Sequence, residues 1–248
     1  IDVEITKSIR IKNKLKINSI FIFFEKESEI ANKYLRQVFI KKIKNLKFNS
    51  LIIHEKNIFY KIQNKIINKL FNNLNKNKRL KLASTDVGKR IKSQIISKSY
   101  NHKYICRKLG INPNKYICIY SRDNAYLKNK YKDINWDYHE YRNSNIDNFR
   151  KLSEYVVTKY GWSVVRIGSN PEKKISWESR VNPNIIDYSF TDYRTDKNDI
   201  DLIAGCSLYF SNGGGPESVA IAARRNIIKI NQIPIGDEHL NNFGMWIP

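Results

Sequence analysis

The sequence predicts an α/β protein built on a parallel, doubly wound sheet. Two observations carry the prediction. Short, β-rich apolar runs alternate with stretches of helical periodicity along most of the 248 residues. The sharpest turn, residues 211–215, is a glycine-rich passage from a strand into a helix. A hydrophobic share of 41%, with 12% aromatic residues, supplies enough apolar surface for a packed core and excludes a fully disordered chain.

The elements follow in order. Residues 17–24 end in the run Ile20-Phe21-Ile22-Phe23-Phe24 and are then stopped by charges, the pattern of a buried strand. Ser28 stands where a helix cap is expected. Ile30, Tyr34, Leu35, Val38 and Ile43 then recur at helical spacing, with Lys33, Arg36, Lys41 and Lys42 on the other face. Residues 51–53 read as a second strand and 58–74 as a second helix. Residues 80–110 are weakly patterned and read as a connection with some helix at 91–96. Beyond Gly110 the pattern sharpens. An apolar strand at 116–120 is broken by Ser121-Arg122-Asp123-Asn124, and the polar, aromatic stretch 131–144 fits neither helix nor strand. Ile146, Phe149, Leu152, Tyr155 and Val156 mark an amphipathic helix closed by Gly161 as its C′ residue. Strands are expected at 162–167, 185–186, 208–210 and 227–230, with helices at 200–204 and 219–223.

Charge is distributed unevenly. Lys+Arg 45 against Asp+Glu 23 gives +22 overall. Residues 1–110 hold 27 basic and 7 acidic side chains, an excess of +20, and residues 111–248 hold 18 and 16. This shift sets a domain boundary near Gly110, with a partial, strongly basic first domain over 1–110 and a second over 111–248. The abundance of Ile, Asn and Lys in the first part has two origins to weigh: A+T-rich codons, or a basic face held against anionic lipid or nucleic acid. No RRM, KH or helix-turn-helix pattern is present, and a nucleic-acid partner is not expected. The longest apolar run is far shorter than the ~20 residues of a membrane span. Cys106, Cys118 and Cys206 form neither a disulfide framework nor a metal-ligand spacing, which suits a reducing, cytoplasmic setting. His54, His102, His139 and His239 are widely separated, so no metal site is expected. The chain starts at Ile1 and stops at Trp246-Ile247-Pro248, and a sequence truncated at one or both ends is expected.

Ligands of open α/β sheets bind beyond the carboxyl ends of the strands. The residues falling there are Arg122 and Asp123, Arg166 and Gly168, Asp187, and Asn212 to Gly215. The segment Ser211-Asn212-Gly213-Gly214-Gly215-Pro216-Glu217-Ser218 carries the strongest signal. Its glycines allow close backbone approach, Pro216 suits a first helical turn, and the positive end of the helix favours an anion such as phosphate. Arg122 and Arg166 could flank a diphosphate on this turn, since guanidinium suits bidentate phosphate contacts. Arg166 alternates out of an apolar strand, so an ion pair with Asp187 is the competing reading. Asp199-Ile200-Asp201 spells DxD but precedes an apolar run and reads as the acidic first turn of a helix.

Three blocks occur in order: Arg122-Asp123-Asn124-Ala125-Tyr126-Leu127, Tyr138-His139-Glu140-Tyr141-Arg142-Asn143 and Val165-Arg166-Ile167-Gly168. Asn184-Ile185-Ile186-Asp187-Tyr188, the turn at 211–215, and Ile30-Ala31-Asn32-Lys33-Tyr34-Leu35 near the start join them. Together they resemble a family of bacterial glycosyltransferases associated with surface-polysaccharide clusters. The resemblance covers most of the chain. Its turn departs from the family's more usual Gly-Thr-Ser-Ser-Gly, which leaves open the hydroxyl that would touch the donor. The resemblance implies a GT-B architecture of two Rossmann-like domains, with a nucleotide-sugar donor mainly on the second. It also implies a glycan or lipid-linked acceptor, and no metal or other cofactor. On that basis the Gly213 to Gly215 loop, Arg166 and Arg122 would stabilise the leaving nucleotide diphosphate, with Asn212 and Gly168 beside them. Glu217 or Ser218 would hydrogen-bond the donor. An inverting transfer also needs a general base, for which His139 is the first candidate and Asp123 the second. His139 could equally pack among Trp136, Tyr138 and Tyr141. The enzyme would be cytoplasmic, with its basic first domain docked on the inner face of an anionic membrane. The competing functions are a sugar-nucleotide epimerase of similar fold and a basic nucleic-acid-binding protein.

Overall fold

The structure is a computed structural model that describes residues 20–25, 32–45, 49–54, 101–133, 135–177, 182–232 and 244–247. The chain divides into two compact units, residues 1–95 and 96–248. The division falls before the Gly110 boundary drawn from the charge.

In the first unit, strand β1 (Ile20–Glu25), helix α1 (Lys33–Asn45) and strand β2 (Asn49–His54) form one β–α–β unit. Its strands pair in parallel from Ile20 opposite Asn49 to Glu25 opposite His54. Asn32 caps α1, its side-chain oxygen accepting the Leu35 N–H at 2.7 Å. The expected cap Ser28 lies outside the described residues, as do the helices expected at 58–74 and 91–96.

The second unit holds helix α2 (His102–Lys108), strand β3 (Tyr116–Tyr120), helix α3 (Ala125–Lys130), two 3-10 turns (Asp137–Arg142 and Ile146–Phe149), helix α4 (Arg150–Tyr160) and strand β4 (Ser163–Arg166). Strand β5 (Ile185–Ile186), helix α5 (Asp196–Gly205), strand β6 (Leu208–Ser211), helix α6 (Gly215–Ala222) and strands β7 (Asn226–Ile230) and β8 (Gly244–Ile247) follow. All six strands are parallel, in the order β5-β4-β3-β6-β7-β8. Counted from β3, that is 3-2-1-4-5-6, the order of the Rossmann fold.

Helices cover both faces of this sheet because its central strands are apolar on both sides. Along β3 the side chains alternate. Ile117 and Ile119 join Phe149, Val156, Val157, Val164, Trp177 and Phe210 in one core, on the α4 side. Tyr116 and Cys118 face α5 instead: the Tyr116 hydroxyl donates to the Leu202 carbonyl at 2.8 Å, and the Cys118 thiol to the same oxygen at 3.7 Å. The three cysteines are free and buried. Gly161 closes α4 in the left-handed conformation (φ 62°), as the sequence predicts.

The structure adds elements that periodicity misses. Helix α3 follows directly on the β3 rim, in six residues too few to show a pattern. Strand β8 extends the sheet beyond β7, the last strand expected from the sequence. Helix α5 begins at Asp196 rather than near 200, because Thr195 caps it by accepting the Asn198 N–H at 3.1 Å.

Candidate active site

The strand order reverses between β3 and β6, which register with Tyr120 opposite Ser211. Beyond that pair both strands end, and the crevice past the carboxyl ends at such a switch point is where ligands of this topology bind. One side chain spans it. Asn212 accepts the Arg122 N–H on Oδ1 at 2.7 Å and donates from Nδ2 to the Arg142 carbonyl at 2.9 Å. Ser144 N–H donates to the Arg122 carbonyl at 2.9 Å, and Ser121 Oγ donates to the Ser144 carbonyl at 2.6 Å. Arg122 is 8% exposed as a residue, and its Nη1 donates to Asn143 Oδ1 at 3.3 Å. The polar segment 142–144, unassigned from sequence, is therefore stitched across the carboxyl end of β3. Burial first, and then the neighbouring Arg142, push the Arg122 guanidinium below its ordinary pKa.

The glycine turn forms the second wall. Gly213 and Gly214 have φ of 93° and 130°, which side-chain-bearing residues rarely adopt. Space adds to the demand at Gly214: a Cβ there would stand 2.9 Å from Tyr120 Cε1. The Tyr120 ring forms the floor of the turn, and burial raises its hydroxyl pKa to about 12. Helix α6 starts immediately afterwards with Pro216 in its first turn, so its positive end opens at the turn. Asn212 and Gly213 are buried, Gly214 is half-buried, and Gly215 and Ser218 are exposed.

Beneath the turn lies a buried chain of polar groups. Ser211 Oγ accepts the Gly213 N–H at 3.3 Å and donates to Glu217 Oε2 at 2.5 Å. Glu217 Oε1 pairs with Lys229 Nζ at 2.8 Å, with both side chains buried. Glu217 thus faces the sheet, where it holds the turn from below. Lys229 escapes sequence reasoning, although the signal was present: a lysine interrupting the apolar strand Ile227-Ile228-Lys229-Ile230 needs a partner, as Arg166 does.

At the neighbouring strand ends, Arg166 is 1% exposed, and its Nη1 donates to Asp187 Oδ1 at 2.9 Å and to the Lys173 carbonyl at 3.3 Å. Asp187 Oδ2 also accepts the Ile175 N–H at 2.9 Å. The ion pair named as the competing reading of Arg166 is the one the structure forms. Gly168 lies above the other edge of the Tyr120 ring, where a Cβ would stand 3.7 Å from Cε2. Both Asp123 oxygens accept backbone N–H groups, from Ala125 at 3.0 Å and Glu172 at 3.1 Å, which fixes the carboxylate at the rim. His139 lies within the 3-10 turn Asp137–Arg142, and its side chain is outside the described part. Asp199 and Asp201 belong to α5. Asp199 pairs with Arg194 at 2.8 Å, and Asp201 binds Lys197 and the Asn101 N–H.

No protein-family model matches the chain, and no curated protein matches it. Among solved structures it is similar to the ADP-heptose LPS heptosyltransferase II of E. coli, at 15% identity and a TM-score of 0.43. The alignment covers 59% of this chain and 42% of that one, so it spans less than half the length of that enzyme.

Proposed function

We propose that the chain is a glycosyltransferase of GT-B type that moves a sugar from a nucleotide-sugar donor to a glycan or lipid-linked acceptor in cell-surface polysaccharide synthesis. The observation that carries this reading is the Gly213–Gly214 turn at the switch point of a 3-2-1-4-5-6 sheet, with the Arg122 backbone tied to it by the Asn212 side chain. The resemblance of the three sequence blocks supplies the reaction class. In this reading the donor diphosphate lies over the glycine turn at the positive end of α6. Negative charge developing on the leaving diphosphate meets preorganised donors and cations rather than mobile water. Ser211, Glu217 and Lys229 keep the turn rigid without touching the donor. Deprotonation of the acceptor hydroxyl falls to His139, or to Asp123 at the β3 rim.

The reading has a direct test. UDP, GDP or ADP should raise the melting temperature of the protein in EDTA as much as in Mg²⁺. Strict dependence on Mg²⁺ or Mn²⁺ would overturn the metal-independent assignment. A product analysis that finds an epimerised nucleotide sugar without any acceptor would overturn the transferase assignment.

The basic first part extends the proposal to a membrane surface. Among the described residues no helix is long and apolar enough to cross a membrane. Lys33 and Lys41 are exposed on α1 and Arg36 is half-buried, while the Lys42 side chain lies outside the described part. Each surface cation near anionic lipid contributes on the order of 1 kcal/mol, screened by salt within a Debye length. The protein should therefore sediment with anionic vesicles at low salt and be released as salt rises. Equal recovery in the supernatant with neutral and anionic vesicles would refute the docking.

A further inference from the structure

Arg142 ends the 3-10 turn Asp137–Arg142, and its carbonyl is held by Asn212. Its backbone is therefore anchored at the switch point, one residue from the Asn143 side chain that receives the Arg122 guanidinium. The Arg142 guanidinium is half-buried and pairs with no carboxylate among the described residues. It nevertheless lies close enough to Arg122 to disfavour the charge there. An anion that neutralises Arg142 would remove its unfavourable effect on the Arg122 charge.

A second observation points the same way. Asn124, two residues past Arg122, is 5% exposed, yet neither its amide oxygen nor its amide nitrogen has a hydrogen-bond partner. Leaving such a group unsatisfied is costly, and buried amides of folded proteins are ordinarily paired. An unpaired donor and acceptor together fit a ligand that carries both an oxyanion and a hydroxyl. Arg166, the other arginine nominated from sequence, has its charge matched by Asp187 within the fold.

We propose that Arg142 is the principal ligand-binding cation of the crevice, gripping a diphosphate together with Arg122 while the Asn124 amide takes an adjoining oxygen or hydroxyl of the same ligand. The inference rests on the glycosyltransferase reading for the origin of the diphosphate, which is either the nucleotide of the donor or a lipid diphosphate of the acceptor. The shared chemistry is two linked phosphoryl groups, which match the two guanidinium forks.

Titration calorimetry in EDTA at fixed ionic strength tests it. The probes are inorganic pyrophosphate for the shared chemistry, UDP, GDP and ADP for a nucleotide source, and farnesyl diphosphate for a lipid source. Arg142→Ala should weaken the bound probes by roughly 10- to 100-fold, the loss expected for a charge-assisted contact. Arg142→Lys, which keeps the charge and loses the fork, should fall between that variant and wild type. Asn124→Ala should weaken UDP, GDP or ADP, whose ribose carries hydroxyls, more than pyrophosphate or farnesyl diphosphate. Wild-type binding with both Arg142 variants within twofold of it would overturn this inference and leave the proposed function standing. Failure of the wild-type protein to bind any probe would overturn both. Melting curves of each variant confirm that the folded protein is being titrated.

Discussion

Asp187→Ala is expected to lower the unfolding free energy by about 3–5 kcal/mol, the cost of leaving one partner of a buried ion pair uncompensated. Asp187 serves two groups at once: Oδ1 holds Arg166 and Oδ2 holds the Ile175 N–H. Truncation strands a guanidinium between β4 and the Phe190 ring, whose centroid lies 5.7 Å away. For a domain of this size the loss corresponds to a fall in melting temperature of roughly 6–20 °C. The double variant Arg166→Met, Asp187→Leu should recover much of it, because a buried pair replaced by apolar groups is often neutral. Denaturant melts of the two single variants and the double variant would measure the coupling. A midpoint for Asp187→Ala equal to wild type would refute the assignment of Arg166 to the fold.

Lys229→Ala is expected to cost a similar amount, about 3–5 kcal/mol, by the same mechanism at the other wall of the crevice. Its consequence for binding differs. Glu217 without Lys229 loses the partner that fixes its carboxylate, so Ser211 Oγ, which donates to that carboxylate and accepts the Gly213 N–H, is no longer held in place. Diphosphate affinity should therefore fall in Lys229→Ala even under conditions where the protein is fully folded, whereas Asp187→Ala should lower stability with little change in affinity of the folded fraction. Calorimetric titration of both variants well below their melting temperatures checks the contrast. Equal affinity in Lys229→Ala and wild type would show that the buried chain carries the sheet and not the turn.

Much of the second unit is legible in the sequence because its rules are local. Tyr116–Tyr120 is apolar on both faces, Gly161 ends a helix, and the glycine turn announces a strand-to-helix junction at a rim. The strand order is not legible, since any pairing of β3 with β4, β5 or β6 satisfies the same periodicity. Without it the rim residues form a set and not a site. The sequence pattern offers Arg122 and Arg166 as equivalent cations, and only the register of β4 beside β5 separates them by placing Asp187 next to Arg166. Glu217 reads as a helix-start carboxylate available to a ligand. Its burial depends on Lys229 from a strand that pairs with β6, a relation with no local signature. The stretch 131–144 resists assignment for a physical reason as well: its 3-10 turn at Asp137–Arg142 has neither period 2 nor period 3.6, and the Arg142 carbonyl and both backbone groups of Ser144 are satisfied from a distance by Asn212, Arg122 and Ser121.

The asparagine that bridges the crevice also sets when the site can exist during folding. Asn212 meets Arg122 across a separation of 90 residues, with β4, β5, α4 and α5 all lying in the intervening chain. Strands β3, β4 and β5 can pair while that loop is still open, but the crevice has only one wall until β6 arrives. Closing so long a loop is paid for late and makes such topologies slow to form. A chain arrested before β6 docks would hold half a Rossmann sheet and no binding site. Any ligand of the crevice therefore binds only the closed topology and stabilises the unit as a whole, in proportion to the logarithm of its concentration over its dissociation constant.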